Sequence, residues 1–172
     1  MNILSRIGQR PSVLLFLATG VAGLSASAQP LMQPNISVAQ AMQIVDAVIA
    51  ECNLPGDLIT VSIAVVDRAG QPVMQVRADT ASPHNWELAF RKAYTARTFR
   101  RTSLDWRDRT AGDADASGQR ALANVVPLGG GVPIMMGDQP LGGVGVSGAG
   151  GGQPADSACA AAGVAAIADE LE

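Results

Sequence analysis

The chain has 172 residues, 12 of them basic, 15 acidic and one a histidine, for a formal net charge of −3. That length suits one domain, and the acidic balance makes it a poor non-specific partner for nucleic acid. Two cysteines and one histidine cannot supply a four-ligand zinc site of the usual kind.

Residues 1–28 have the three-part plan of a secretory signal. Arg6 and Arg10 precede an apolar run from Ser12 to Leu24, and Ala26 and Ala28 supply the small residues before cleavage. The run is shorter than the roughly 20 residues of a membrane span, so no stable span is expected after cleavage. Removing residues 1–28 takes two basic residues and no acid, leaving a net charge of about −5. A periodic pattern beginning at Ser37 follows a short tether over 29–36. Export to the periplasm or beyond is the expected localisation, and there Cys52 and Cys159 are candidates for a disulfide.

Ser37 and Gln40 read as a capping box, and Val38, Met42, Val45, Ile49 and Cys52 step along one face of a first helix. Ile59, Val61, Ile63 and Val65 alternate with smaller or polar residues, which predicts a half-buried strand. Asp67–Gly70 suits a type I turn, and Val73–Arg77 supplies the returning strand of a hairpin. Ser82 as cap and Pro83 at the first helical position predict a central helix running to about Phe99. Thr102–Gly118 is polar and reads as a loop with room for one helical turn. Residues 121–128 make an apolar approach to a second hairpin, formed by Val132–Met136, a turn at Gly137–Pro140, and Leu141–Ser147. Gln153-Pro154 opens a last helix, with Asp156 in its first turn, where the dipole favours an acid.

Gly143-Val144-Gly145-Val146-Ser147-Gly148 is formally a dinucleotide fingerprint. Such a turn must leave the first strand of a βαβ unit and be followed by a second strand carrying an acid. Here the strand before it is the second arm of a hairpin and no strand follows the final helix. The glycines read instead as structural, forming a flexible strand edge and a turn into that helix.

Three stretches in this order carry a family resemblance: "VSIAVVDRAGQPV", "ELAFRKAYTARTF" and "GGGVPIMMGDQPLGGVGVSGAGGGQPADSACAAAGVAAI". Together they resemble the GlcG/HbpS-like haem-binding family, also called haem-degrading or DUF336, over about Ser37–Ala168. The resemblance implies an α+β, profilin-like fold with an antiparallel sheet of about five strands flanked by helices. It also implies a homo-oligomer that binds haem, or another small molecule or partner in members of unassigned activity. Haem degradation and redox sensing are reported within the family.

His84 is the candidate iron ligand, since a neutral imidazole can take an axial position; the alternative is a solvated residue at a helix start. Tyr94, Met135 and Met136 are weaker candidates. Arg91 and Lys92, within the basic run that continues to Arg97, Arg100 and Arg101, are candidates for pairing with haem propionates. The plainer reading of that run is a solvated helix face with Glu87–Arg91 as an i,i+4 pair. Trp86 and Phe90 could stack on a porphyrin or fill a core. A hydroxyl ligand is reported in the family, but neither Thr95 nor Thr102 can be matched to it. Asp156 is either a polar contact into a pocket beside Gly142–Gly152 or a dipole-stabilising charge. No nucleophile–base pair is readable, so any chemistry would belong mostly to the cofactor.

Overall fold

The computed structural model describes residues 28–52 and 60–172. The expected export signal lies outside the described residues except for Ala28, and so does Ile59. The chain divides into two units, Met1–Met32 and Gln33–Glu172. Of the first, residues 28–32 carry no helix or strand. Everything below concerns the second.

Helix α1 spans Val38–Glu51. Its capping box forms as the sequence predicts. Ser37 Oγ accepts from the Gln40 amide at 3.2 Å, and Gln40 Oε1 accepts from the Ser37 amide at 3.0 Å. The buried stripe is turned from the expected one. Ala41, Ile44, Val45, Val48 and Cys52 face the core, while Val38 and Met42 are 58% and 53% exposed. Both stripes satisfy a helical period. The choice is made by the last helix, whose Gly163 sits against Ile44 and Val48 and admits no side chain there.

Strands β1 (Ser62–Asp67), β2 (Pro72–Arg77), β3 (Gly131–Met136) and β4 (Gln139–Ser147) form one antiparallel sheet in the order β2-β1-β4-β3. Among the described residues the sheet has four strands, close to the expected number of about five. Residues 121–128 add none; turn bonds and side chains hold their backbone instead. Thr95 Oγ1 accepts from the Val126 amide at 3.0 Å, and Arg91 Nη2 donates to the Val125 carbonyl at 2.7 Å.

The sheet is covered on both faces. Ile63 and Val65 of β1 join the core under α1 and the last helix, while Ala64 and Val66 meet Ala89 and Ala93 of the central helix. The strand expected to be half-buried is therefore buried on both sides. Its alternation separates two apolar faces, not apolar from wet. The β1–β2 turn forms as predicted: Asp67 Oδ1 accepts from the amides of Ala69 and Gln71, both at 2.8 Å. The β3–β4 turn is tighter than expected, since Met136 already pairs with Gln139.

Helix α2 spans Asn85–Phe99, and it begins three residues after the expected cap. Ser82 and Pro83 are used in a turn, with the Asn85 amide bonded to the Ser82 carbonyl at 3.0 Å, and His84 takes the cap position. The segment read as a loop contains α3 (Ser103–Ala111) and the short α4 (Ala114–Ser117). Thr102 caps α3, and Trp106, 1% exposed, anchors it by stacking on Phe99 at 4.8 Å. Arg107 Nη1 donating to Gln153 Oε1 at 2.8 Å and the Gly131 amide donating to Ser103 Oγ at 2.8 Å tie the segment to its neighbours. Helix α5 spans Gln153–Ala165. Cys52 and Cys159 are joined in a disulfide that ties α1 to α5 across 107 residues. Among the described residues, no helix is long and apolar enough to cross a membrane.

Candidate functional site

The glycines of β4 are not at an edge. β4 is an inner strand, and α2 lies directly on it. A Cβ on Gly145 would run into the Ala89 carbonyl and the Ala93 amide; one on Gly143 would meet the Ala93 carbonyl and Arg97. Glycine lets backbone approach backbone, at the cost of the packing a side chain would give. This approach lowers the inner face of α2 onto the sheet and brings Asn85 and Lys92 to the end of β4 and the start of α5.

A closed polar cluster results. Lys92 Nζ donates to Asp156 Oδ2 at 2.7 Å, to the Val146 carbonyl at 3.0 Å and to Ser147 Oγ at 3.4 Å. Those are the three donors an ammonium has. Ser147 Oγ donates onward to Asn85 Oδ1 at 3.2 Å, and Asp156 Oδ1 accepts from the Ala149 amide at 2.8 Å. Lys92 and Asp156 are 2% and 5% exposed. Burial pushes the Lys92 ammonium below the ordinary lysine value, and the hydrogen bond and charge of Asp156 oppose it. Ser62 lies directly across from Ser147 in the β1–β4 pairing, and its buried hydroxyl has no hydrogen-bond partner.

The outer face of the same helix is different. His84 is exposed and makes no capping bond, and Trp86, two residues on, is 43% exposed. Arg91 is shared between Glu87 Oε1 at 3.2 Å and the Val125 carbonyl at 2.7 Å, and its Nε is buried without a partner. The weaker candidates have structural partners. Thr95 Oγ1 donates to the Arg91 carbonyl at 2.7 Å while holding the Val126 amide. Thr102 caps α3, Tyr94 packs on Phe90 and Gly70, and Met136 packs against the main core.

The sequence profile described as "Haem degrading protein HbpS-like" matches residues 36–165. The chain belongs to the HbpS-like family. A curated relative of this HbpS-like chain, an uncharacterized 15.0 kDa protein from the dhaT-dhaS intergenic region of Citrobacter freundii, is 33% identical over 109 residues, or 62% of this chain and 72% of that protein. Among solved structures, a double mutant of Streptomyces reticuli HbpS is similar with a TM-score of 0.72 at 26% identity, covering 82% of this chain and 98% of that one. A PduOC:heme complex is similar with a TM-score of 0.67 at 26% identity, covering 77% and 95%.

In this HbpS-like chain, then, the residues singled out by sequence fall into two groups that do not meet. Lys92 and Asp156 come together inside, with Ser147 and Asn85. His84, Trp86 and Arg91 lie on or near the surface of α2. Asn85, Ser147 and Ser62 carry no sequence signal of their own. Only the glycine run hinted that polar groups beside it would be pressed against another backbone.

Proposed function

We propose that this HbpS-like protein binds haem at the N-terminal end of α2, with His84 supplying the iron ligand. The observation that carries the reading is the exposed imidazole of His84, free of any capping bond, beside the exposed indole of Trp86. A nitrogen donor next to a flat apolar surface is the chemistry a haem face needs. The haem complex of the similar PduOC supports it.

In this reading Arg91 is the cation a propionate would take over from the exposed Glu87, while its Nη2 stays on the Val125 carbonyl. Lys92 is unsuited to that role, because its three donors are already engaged beneath the surface. Its part is to fix α2 and α5 under the site. Bound haem would supply the redox chemistry; the chain positions it and limits access. Haem handling or redox sensing outside the cytoplasm follows as the physiological role, in keeping with a disulfide-bonded chain, and assembly into a homo-oligomer belongs to the same proposal.

The test is a visible-light titration of the protein with haemin beside His84→Ala. A saturable Soret shift in the parent that is lost or moved in the variant is expected. No saturable change in the parent overturns haem binding. An identical spectrum in the variant removes His84 as the ligand.

A further inference from the structure

The C-terminal end of α2 carries a separate cluster of cations. Arg97 lies in the last turn, and Arg100 follows the helix in the left-handed conformation, with φ 53°, where glycine is the ordinary occupant. The Arg97 stem packs over Gly143 of β4. Gly143 pairs with Val66, so the next residues, Asp67 at the end of β1 and Arg68 in the turn, lie at the same corner. Arg68 is anchored there by its Nη1, which donates to the Pro140 carbonyl at 3.1 Å and to Gln139 Oε1 at 3.3 Å. The Tyr94 ring closes the corner against Gly70 of the turn.

None of Arg68, Arg97 and Arg100 has a carboxylate within ion-pair distance among the described residues. Arg97 Nε is buried and has no hydrogen-bond partner. Asp67 is the acid felt at Arg97, and its Oδ1 is already occupied by two turn amides. Burial, then Arg68, then Arg100 push the Arg97 guanidinium below its ordinary value, while Asp67 and Tyr94 oppose them. The attraction of the helix dipole for cations does not account for the arrangement, because Arg68 comes from a turn between strands and the orphaned Nε is left unused.

We propose that Arg97, Arg68 and Arg100 form an oxyanion subsite that takes a small molecule through its carboxylate or phosphate group. Guanidinium groups present paired donors that match such oxygens, and those of Arg97 and Arg100 have no ion-pair partner among the described residues. The subsite is thirteen residues along α2 from His84, about 20 Å at helical rise, so it does not depend on haem binding at the other end.

Calorimetric titration of the full chain with inorganic phosphate and, separately, with acetate tests it, each against sodium chloride at matched ionic strength. The expected result is saturable binding of at least one anion, weakened about tenfold or more in Arg97→Met and measurably in Arg100→Gln, and unchanged in His84→Ala. Arg97→Met keeps the stem over Gly143; the exposed Arg100→Gln serves if the first variant does not fold. Which anion binds assigns the ligand to phosphates or carboxylates. Absence of saturable heat with both anions up to about 50 mM, or equal affinity in a folded Arg97→Met and in Arg100→Gln, overturns the subsite.

Discussion

Lys92 on α2 and Asp156 on α5 meet at 2.7 Å with both side chains almost fully buried, and their remaining polar atoms are bonded to β4 and the turn that follows it. Three elements, α2 and the consecutive β4 and α5, are pinned at one point. Removing one partner strands the other without water, which typically costs about 3–5 kcal/mol; replacing both with apolar groups is often close to neutral. Lys92→Met should therefore lower the unfolding free energy by that amount, and Lys92→Met with Asp156→Leu should recover most of it. Urea unfolding of the two variants and the parent checks this. A double variant no better than the single one would mean that Ser147 and Asn85 also need the charge pair.

The same lysine sets a pH dependence. Its folded-state value lies below the ordinary 10.5, with burial as the larger cause. Between the two values the unfolded chain holds a proton that the folded chain lacks, so stability rises with pH across that window. The cost of a buried charge is present below the lowered value and is relieved on passing above it. The difference in unfolding free energy between the parent and Lys92→Met, followed up to about pH 10.5, should grow in favour of the parent. A falling difference would show that Asp156 outweighs burial.

The β4 glycines give a position-specific test. A methyl at Gly145 meets the α2 backbone, which cannot rotate away, whereas a methyl at Gly112 has nothing within 4 Å. Gly145→Ala should cost about 3 kcal/mol or more, at the upper end of overpacking, and Gly112→Ala should stay within about 0.5 kcal/mol of the parent. Thermal or chemical unfolding of the pair separates close approach from a general dislike of alanine in place of glycine.

The disulfide joins α1 to α5 across 107 residues. Reduction should lower stability by about 2–4 kcal/mol by freeing a long loop in the unfolded chain. Intact mass before and after reduction should differ by two hydrogens, and the unfolding midpoint should fall under reductant. An unchanged midpoint would mean that the Ile44, Val48 and Gly163 packing holds the two helices unaided.

Element order was legible because it depends on local chemistry. The Ser37–Gln40 capping box, the Asp67–Gly70 turn, and Pro154 with Asp156 at the start of α5 each act within a few residues, and each appears where the sequence places it. The family was legible for a similar reason: three motifs in a fixed order. What failed was whatever had two local readings that only side-chain contacts decide. Ser82–Pro83 could cap a helix or make a turn, and α3 looked like loop until Trp106 found Phe99.

By itself the sequence determined the order of most elements, the acidic balance and the family, since periodicity, caps and motifs need no partner. The tertiary structure alone decided which stripe of α1 is buried, that β1 and β4 are inner strands, and that Lys92 faces inward while His84 faces out. The physical reason is close packing on glycines: α2 lies backbone to backbone on those of β4, and α1 lies on Gly163 of α5. Glycine has no side chain to record in a pattern which surface it will touch, so the charge that this contact buries could be assigned only after the chain had closed on itself.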